Sequence, residues 1–211
     1  MSFPRLHVVT DSLDVVRGAV GHGPVAIQVR VKTNDREAYE LTVAALELCR
    51  SAGALCLVDD RVGVALAAGA DGVHVGADDL PVAAARRALG PAAVLGATCR
   101  NPSSAVAAVA AGASYLGAGP AFATTTKAGL PAPIGPDGVA AVTRAVPGTP
   151  VIAIAGLTPQ RVGLVESYGV AAISAVAADP AGATIAFLRA LDARPGPPAV
   201  LGSGAVGGGA A

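Results

Sequence analysis

Tryptophan is absent from the 211 residues, and Phe and Tyr number three each, so aromatic residues make up only 3%. Base-stacking platforms for single-stranded nucleic acid are therefore not expected. Charge of one sign is also lacking. Lys+Arg and Asp+Glu both total 15, a formal net charge of zero. Duplex nucleic-acid binders carry a basic surplus, so nucleic acid is not an expected partner. Charged residues are 14% but hydrophobic ones are 53%, which excludes disorder for most of the chain. Those apolar residues are mostly Ala and Val, and no run approaches the ~20 needed to cross a bilayer. No membrane association is expected. The three cysteines, Cys49, Cys56 and Cys99, are widely spaced and form no CxxC pair. An odd, scattered set is neither a disulfide framework nor a zinc site. It reads as small buried hydrophobes or free thiols in a reducing compartment. The opening Met1-Ser-Phe-Pro-Arg-Leu-His lacks the charged and apolar regions of a secretory signal, so the expected location is cytoplasmic.

What the chain does have is alternation. Short β-branched runs predict strands at Leu6–Thr10, Val25–Val31, Leu55–Asp59, Gly72–Val75, Ala93–Ala97, Ser114–Gly117, Val151–Ile154 and Ala171–Ser174. Ala-rich stretches predict helices at 11–20, 35–52, 61–69, 81–89, 102–111, 136–146, 158–168 and 179–191. Asp35, Asp137 and Thr158 suit helix starts, and Pro81, Pro102 and Pro159 suit first turns. Gly53, Gly69, Gly90, Gly112 and Gly169 suit helix ends. A helix-end, Gly, short-strand unit recurs at 67–76, 110–119 and 166–175. Eight βα units with right-handed crossovers predict an α/β protein with one (β/α)8 TIM barrel over 1–193. A doubly wound sheet would call for a glycine-rich first turn, and "VVTDSLD" is not one. Residues 194–211 are Pro/Gly/Ala-rich and predict a flexible tail.

Active sites of such barrels lie at the C-terminal strand ends, which sorts the polar residues by position. In the second strand Gln28, Arg30 and Lys32 alternate with Ile27, Val29 and Val31. The apolar set should face the helices and the polar set the barrel mouth, where two cations and an amide call for an anionic ligand. The third strand ends in Asp59-Asp60, and Asp79 lies just past the fourth, which contains His74. Carboxylates at neighbouring strand tips can meet on one hard cation such as Mg2+. Capping of the following helix is the alternative for Asp78 or Asp79, and a core histidine the alternative for His74. A long Gly/Pro-rich loop, 119–135, carries Thr124, Thr125, Thr126 and Lys127, hydroxyls and an ammonium suited to phosphate. Gly156 and Ser174 close the seventh and eighth strands, where barrels frequently bind phosphate. Two anion sites in one mouth imply two phosphorylated substrates, or one with two phosphates.

These residues, in this order, resemble thiamine phosphate synthase over roughly residues 5–191. The family's Q-x-R-x-K strand appears as Gln28, Arg30 and Lys32, and its V-N-D-R strand end as Val58 to Arg61. Its A-D-G-[VI]-H-[LIV]-G-x-x-D segment runs intact from Ala70 to Asp79, and its G-P-x-[FY]-x-T-x-T-K loop spans Gly119 to Lys127. The resemblance implies a transferase of thiamine biosynthesis that joins hydroxymethylpyrimidine diphosphate to a thiazole phosphate and releases diphosphate. It implies Mg2+ on Asp60 and Asp79. Arg30, Lys32 and Lys127 would grip the diphosphate with Asp59 beside them. Gln28 and His74 would face the pyrimidine, and Thr98 would stand where the family has Ser. Thr124, Thr126, Gly156 and Ser174 would hold the thiazole phosphate. Lys127, Arg30 and Thr98 would form the catalytic set.

The chain departs from that pattern at several places. Asp59 replaces Asn, Thr98-Cys99-Arg100 replaces Ser-x-His, Ala123 replaces Pro, and Ala155 replaces a Gly of a G-G turn. Two alternatives follow. One is a thiazole tautomerase-like isomerase, which lacks the metal-site acids and uses a His where this chain has Arg100. The other is a diverged barrel acting on, or only binding, another phosphorylated small molecule. The sequence carries no sign of oligomeric state.

Overall fold

The computed structural model describes residues 3–124 and 131–194. Eight parallel strands close into a barrel in sequence order: β1 (Leu6–Thr10), β2 (Val25–Val29), β3 (Leu55–Asp59), β4 (Gly72–Val75), β5 (Val94–Cys99), β6 (Tyr115–Ala118), β7 (Val151–Ala153) and β8 (Gly169–Ala172). The helices that cover it are α1 (Leu13–Ala19), α2 (Asp35–Ala52), α3 (Val62–Ala68), α4 (Val82–Leu89), α5 (Pro102–Ala110), α6 (Gly135–Ala145), α7 (Ser174–Ala177) and α8 (Pro180–Asp192). The (β/α)8 barrel predicted from the alternation is the observed fold.

Local chemistry sets the helix limits. Asn34 caps α2 by accepting from the Glu37 amide at 3.0 Å, with Asp35 inside the first turn. Gly53 ends that helix in the left-handed conformation. Asn101 and Ser104 form a reciprocal capping box around Pro102 on α5. Outward strand residues such as Leu6, Ile27, Val58, Leu95 and Leu116 pack against the helices. Inside, Phe3, Val9, Leu57, Tyr115, Ile152 and Tyr168 form a second apolar cluster, and Val9, Tyr115 and Ile152 of it reach the cavity at the C-terminal end. The three cysteines are buried free thiols. Among the described residues no helix is long and apolar enough to cross a membrane.

Several expected boundaries move. The helix predicted over 158–168 is only a 3-10 turn, Pro159–Leu164. Arg194, expected in a tail without contacts, reaches back and donates to the carbonyls of Val162, Val165 and Ser167. The rest of the predicted tail lies outside the described residues. β8 begins two residues early because its register on β1 pairs Leu6 with Val170 and Val8 with Ala172. Gly169 therefore opens a strand, and Ser174 begins α7. β2 stops at Val29, so Arg30 and Lys32 follow the strand. Pro81 precedes α4 as its cap residue instead of sitting in its first turn.

Candidate active site

The C-terminal strand ends open into one cavity of about 450 Å³. It is lined by Gln28, Arg30, Lys32, Asp59, Asp60, His74, Asp79, Thr98, Thr124, Gly156 and Ser174. Every predicted site residue is thus brought to one place except Thr126 and Lys127, which lie outside the described residues.

One wall, from β2 to β4, is charged. The buried Asp59 carboxylate accepts from Gln28 Nε2 at 2.6 Å and from Lys32 Nζ at 3.0 Å, and pairs with Arg30 Nε at 3.2 Å. Burial and the neighbouring Asp60 charge push the Asp59 pKa up, against the pull of Lys32 and Arg30. Asp60 sits one residue beyond the strand at φ 65°, a left-handed conformation that Asp tolerates better than most side chains. Its amide donates to the His74 carbonyl at 2.8 Å, and its carboxylate pairs with Lys32. Burial works against its charge, but hydrogen bonds with Asp79 and Lys32 outweigh that and hold its pKa below the usual range. Asp79 is raised by burial and by Asp60, and it accepts from the Gly76 amide at 2.6 Å. It therefore closes its own loop, and no side chain caps α4, so the capping alternative is not what forms.

Asp60 and Asp79 lie within hydrogen-bond reach of each other, a like-charge contact that a shared proton or a hard cation relieves. Two carboxylates at an open pocket edge are a donor set that fits such a cation. No group of three or more His, Cys, Asp or Glu poised to hold a metal occurs among the described residues. Any cation there would need ligands from water or substrate.

The floor is built around His74. Its Nδ1 lies 3.0 Å from the Tyr115 hydroxyl and its Nε2 2.9 Å from Thr98 Oγ1. Burial lowers its pKa to about 4, with Asp60 opposing. The imidazole is therefore neutral at pH 7, with one donor and one acceptor nitrogen. Glycine is required beneath it: a Cβ on Gly96 would overlap Tyr115 and His74, and one on Gly117 would lie 2.9 Å from His74 Cε1.

The other wall, from β6 to β8, carries no acid among the described residues that line it. Gly156 (φ 67°) follows Ala155 (φ 78°), two successive left-handed residues. A Cβ on Gly156 would lie 2.7 Å from Phe122 Cβ and 2.8 Å from the Ala123 carbonyl. The loop is fastened here by Phe122 N to Ala155 O (3.1 Å) and by Arg161 stacked 4.9 Å above the Phe122 ring. Thr124 and Ser174 face the cavity from this side.

Arg100, Tyr115 and His7 also line the cavity, although none of them was predicted as a site residue. Arg100 lines the cavity and donates to Ala132 O at 2.7 Å. Tyr115 supplies the hydroxyl under His74. His7 is 1% exposed, its Nε2 has no partner, and burial lowers its pKa to about 3. The alternation in "LHVVT" places His7 and Val9 on one face, but only ring closure shows that this face looks inward.

A closed (β/α)8 barrel with a polar, strand-tip cavity is an enzyme scaffold of the kind that varies its chemistry through its loops. The thiamine monophosphate synthase family profile matches residues 4–178. A thiamine-phosphate synthase of Salinispora arenicola is 55% identical over 205 residues, spanning 90% of this chain and 98% of that one. One from Salinispora tropica is 53% identical with the same coverage. The solved thiamine phosphate pyrophosphorylase of Pyrococcus furiosus superposes with a TM-score of 0.82 at 35% identity, over 91% of this chain and 97% of that chain. The chain belongs to the thiamine monophosphate synthase family.

Proposed function

We propose that the protein condenses hydroxymethylpyrimidine diphosphate with thiazole phosphate, giving thiamine phosphate and diphosphate. The observation that carries this is the pairing of two unlike walls in one cavity: a charged one at β2 to β4 and a hydroxyl-and-amide one at β6 to β8. The first suits a multiply charged leaving group and the second a simple phosphate.

Arg30 and Lys32, with Lys127 from the loop outside the described residues, hold the diphosphate. Asp60 and Asp79 hold Mg2+, which when bound neutralises charge on the leaving diphosphate. Gln28 and His74 face the pyrimidine, and Thr98, bonded to His74 Nε2, adds a hydroxyl at the reacting end. Thr124, Thr126, Gly156 and Ser174 fix the thiazole phosphate so that the ring nitrogen meets the electron-rich pyrimidine carbon as diphosphate departs. No protein nucleophile is needed, because the aminopyrimidine stabilises the cation left behind. The substrates are small and phosphorylated, and the reaction is placed in the cytoplasm, where the three free thiols stay reduced. The isomerase alternative is less well supported, since Arg100 stands at the position of its His and the strand-tip acids are present.

Purified protein given both substrates, with and without Mg2+, should yield thiamine phosphate by mass, and only with the metal. Conversion of either substrate alone, or no product with both, would overturn the assignment.

A further inference from the structure

Arg30 and Lys32 are not waiting unpaired for a ligand. Arg30 Nε lies 3.2 Å and Lys32 Nζ 3.0 Å from the same oxygen, Asp59 Oδ2. The other oxygen of that carboxylate accepts from Gln28 Nε2 at 2.6 Å. Asp59 is the last residue of β3 and its side chain is 9% exposed, whereas Arg30 and Lys32 are 24% and 49% exposed. The acid is thus the enclosed member of the group, held by a strand and an amide, and the cations are the more exposed ones. Lys32 also pairs with Asp60. Four carboxylates (Asp59, Asp60, Asp78, Asp79) and two cations (Arg30, Lys32) line this side of the cavity, so with all of them charged it carries more negative charge than positive. A free diphosphate approaching it meets cations that are already neutralised and acids that repel it.

We propose that Asp59 is a resident counter-anion that makes diphosphate binding on Arg30 and Lys32 conditional on a divalent cation. The inference rests on the assignment of this wall to the diphosphate. A divalent ion on Asp60 and Asp79 would compete with Lys32 for Asp60 and offset the excess negative charge of the wall, leaving Arg30 and Lys32 to turn to the ligand while Asp59 stays on Gln28. Asp59 acts through the two cations and is a positioning residue. Its effect is to couple two binding events, so that metal and diphosphate each raise the affinity for the other. Removing its charge should weaken the coupling without removing the site. Asp59→Asn keeps the shape and the acceptor for Gln28, and Asp59→Ala removes both.

The test is calorimetric titration of the full chain with inorganic diphosphate, in EDTA and in saturating Mg2+, for the wild type and both variants. The wild type should bind at least thirtyfold more weakly in EDTA than in Mg2+. Asp59→Asn and Asp59→Ala should each bind at least tenfold more tightly than wild type in EDTA and within about threefold of it in Mg2+. A merely structural role would weaken binding under both conditions. Wild type that binds equally well in EDTA overturns the inference, and so do variants that keep the wild-type dependence on Mg2+. Loss of diphosphate binding by Asp59→Asn even in Mg2+ would also overturn it, making Asp59 a direct ligand. If diphosphate fails to bind any of the three proteins in Mg2+, the assignment of this wall fails and the inference with it. That outcome differs from the others because the wild type itself is silent.

Discussion

The two walls of the cavity solve the handling of anions by opposite means. At β2 to β4 the recognition elements are full charges at the tips of neighbouring strands, tied to one another: Asp59 to Arg30, Lys32 and Gln28, and Asp60 to Lys32. At β6 to β8 they are hydroxyls and backbone, with Gly156 against the loop at Phe122 and Ser174 at the start of α7. A charged wall can discriminate strongly, but only if its own charges are arranged beforehand. A backbone wall needs no counter-charge and makes a smaller demand on folding. The floor between them is neutral at pH 7, since burial depresses both His7 and His74. These two histidines therefore add no charge to either wall.

The largest effect expected from breaking this contrast is at the acidic tips. Asp60→Asn and Asp79→Ala should lower kcat/KM on the order of 10²- to 10³-fold while shifting thermal unfolding little. Asn is chosen at 60 because it tolerates the left-handed backbone there. Wild-type rates for both variants at limiting Mg2+ would remove the metal from the charged wall.

Substrate by substrate, the walls should separate. Arg30→Ala and Lys127→Ala should raise KM for the pyrimidine diphosphate by about ten- to a hundredfold, the worth of a charged hydrogen bond. Ser174→Ala should raise KM for thiazole phosphate by about tenfold at most, the worth of a neutral one. Equal effects of all three on both substrates would show that the two walls are one site.

The floor can be tested by acid. A histidine whose pKa falls on folding leaves stability intact above its unfolded value, near 6.5, and removes it as pH falls through the folded value. The window runs from 6.5 to about 4 for His74 and to about 3 for His7. Denaturant unfolding should show this loss below pH 6.5 at about 1.4 kcal/mol per pH unit for each histidine. His7→Phe should flatten the curve by one histidine's share. An unchanged slope in that variant would mean that His7 does not remain neutral in the folded barrel.

The smallest expected effect is at the backbone wall. Ala155 holds φ 78°, where an L side chain costs about 1 kcal/mol or more. Ala155→Gly should raise the unfolding free energy by about 0.5–1 kcal/mol, net of the added chain entropy of glycine. A destabilised variant, measured by denaturant titration, would show that the surrounding contacts already relieve the strain.

Much of the charged wall was legible because strand alternation and strand-end position are local facts. Gln28, Arg30 and Lys32 declare their common face by spacing, and the chain's only two lysines, Lys32 and Lys127, are both among the predicted site residues. The floor was less legible. Tyr115 meets His74 across 41 residues of sequence, and space for that contact comes from Gly96 and Gly117, which carry no polar signal. Arg100 looked like a departure from a motif, and only the fold shows it reaching Ala132 at the far foot of the loop. The segment after β7 forms only a 3-10 turn, and carbonyls along and beyond it are met by Arg194, a residue remote in sequence.

By itself the sequence determined the eight βα units, the inward set on β2 and the acids at two strand tips, since periodicity and strand-end position depend on neighbours a few residues apart. Only the tertiary structure decided the state of those groups. Asp59 and Lys32 are 27 residues apart in the chain and 3.0 Å apart in the barrel, and Asp59 and Gln28 are 31 residues apart and 2.6 Å apart. Coulomb attraction and hydrogen bonding act on distance through space, so whether a cation in the site stands free or is already neutralised was settled only when the strands closed into a ring.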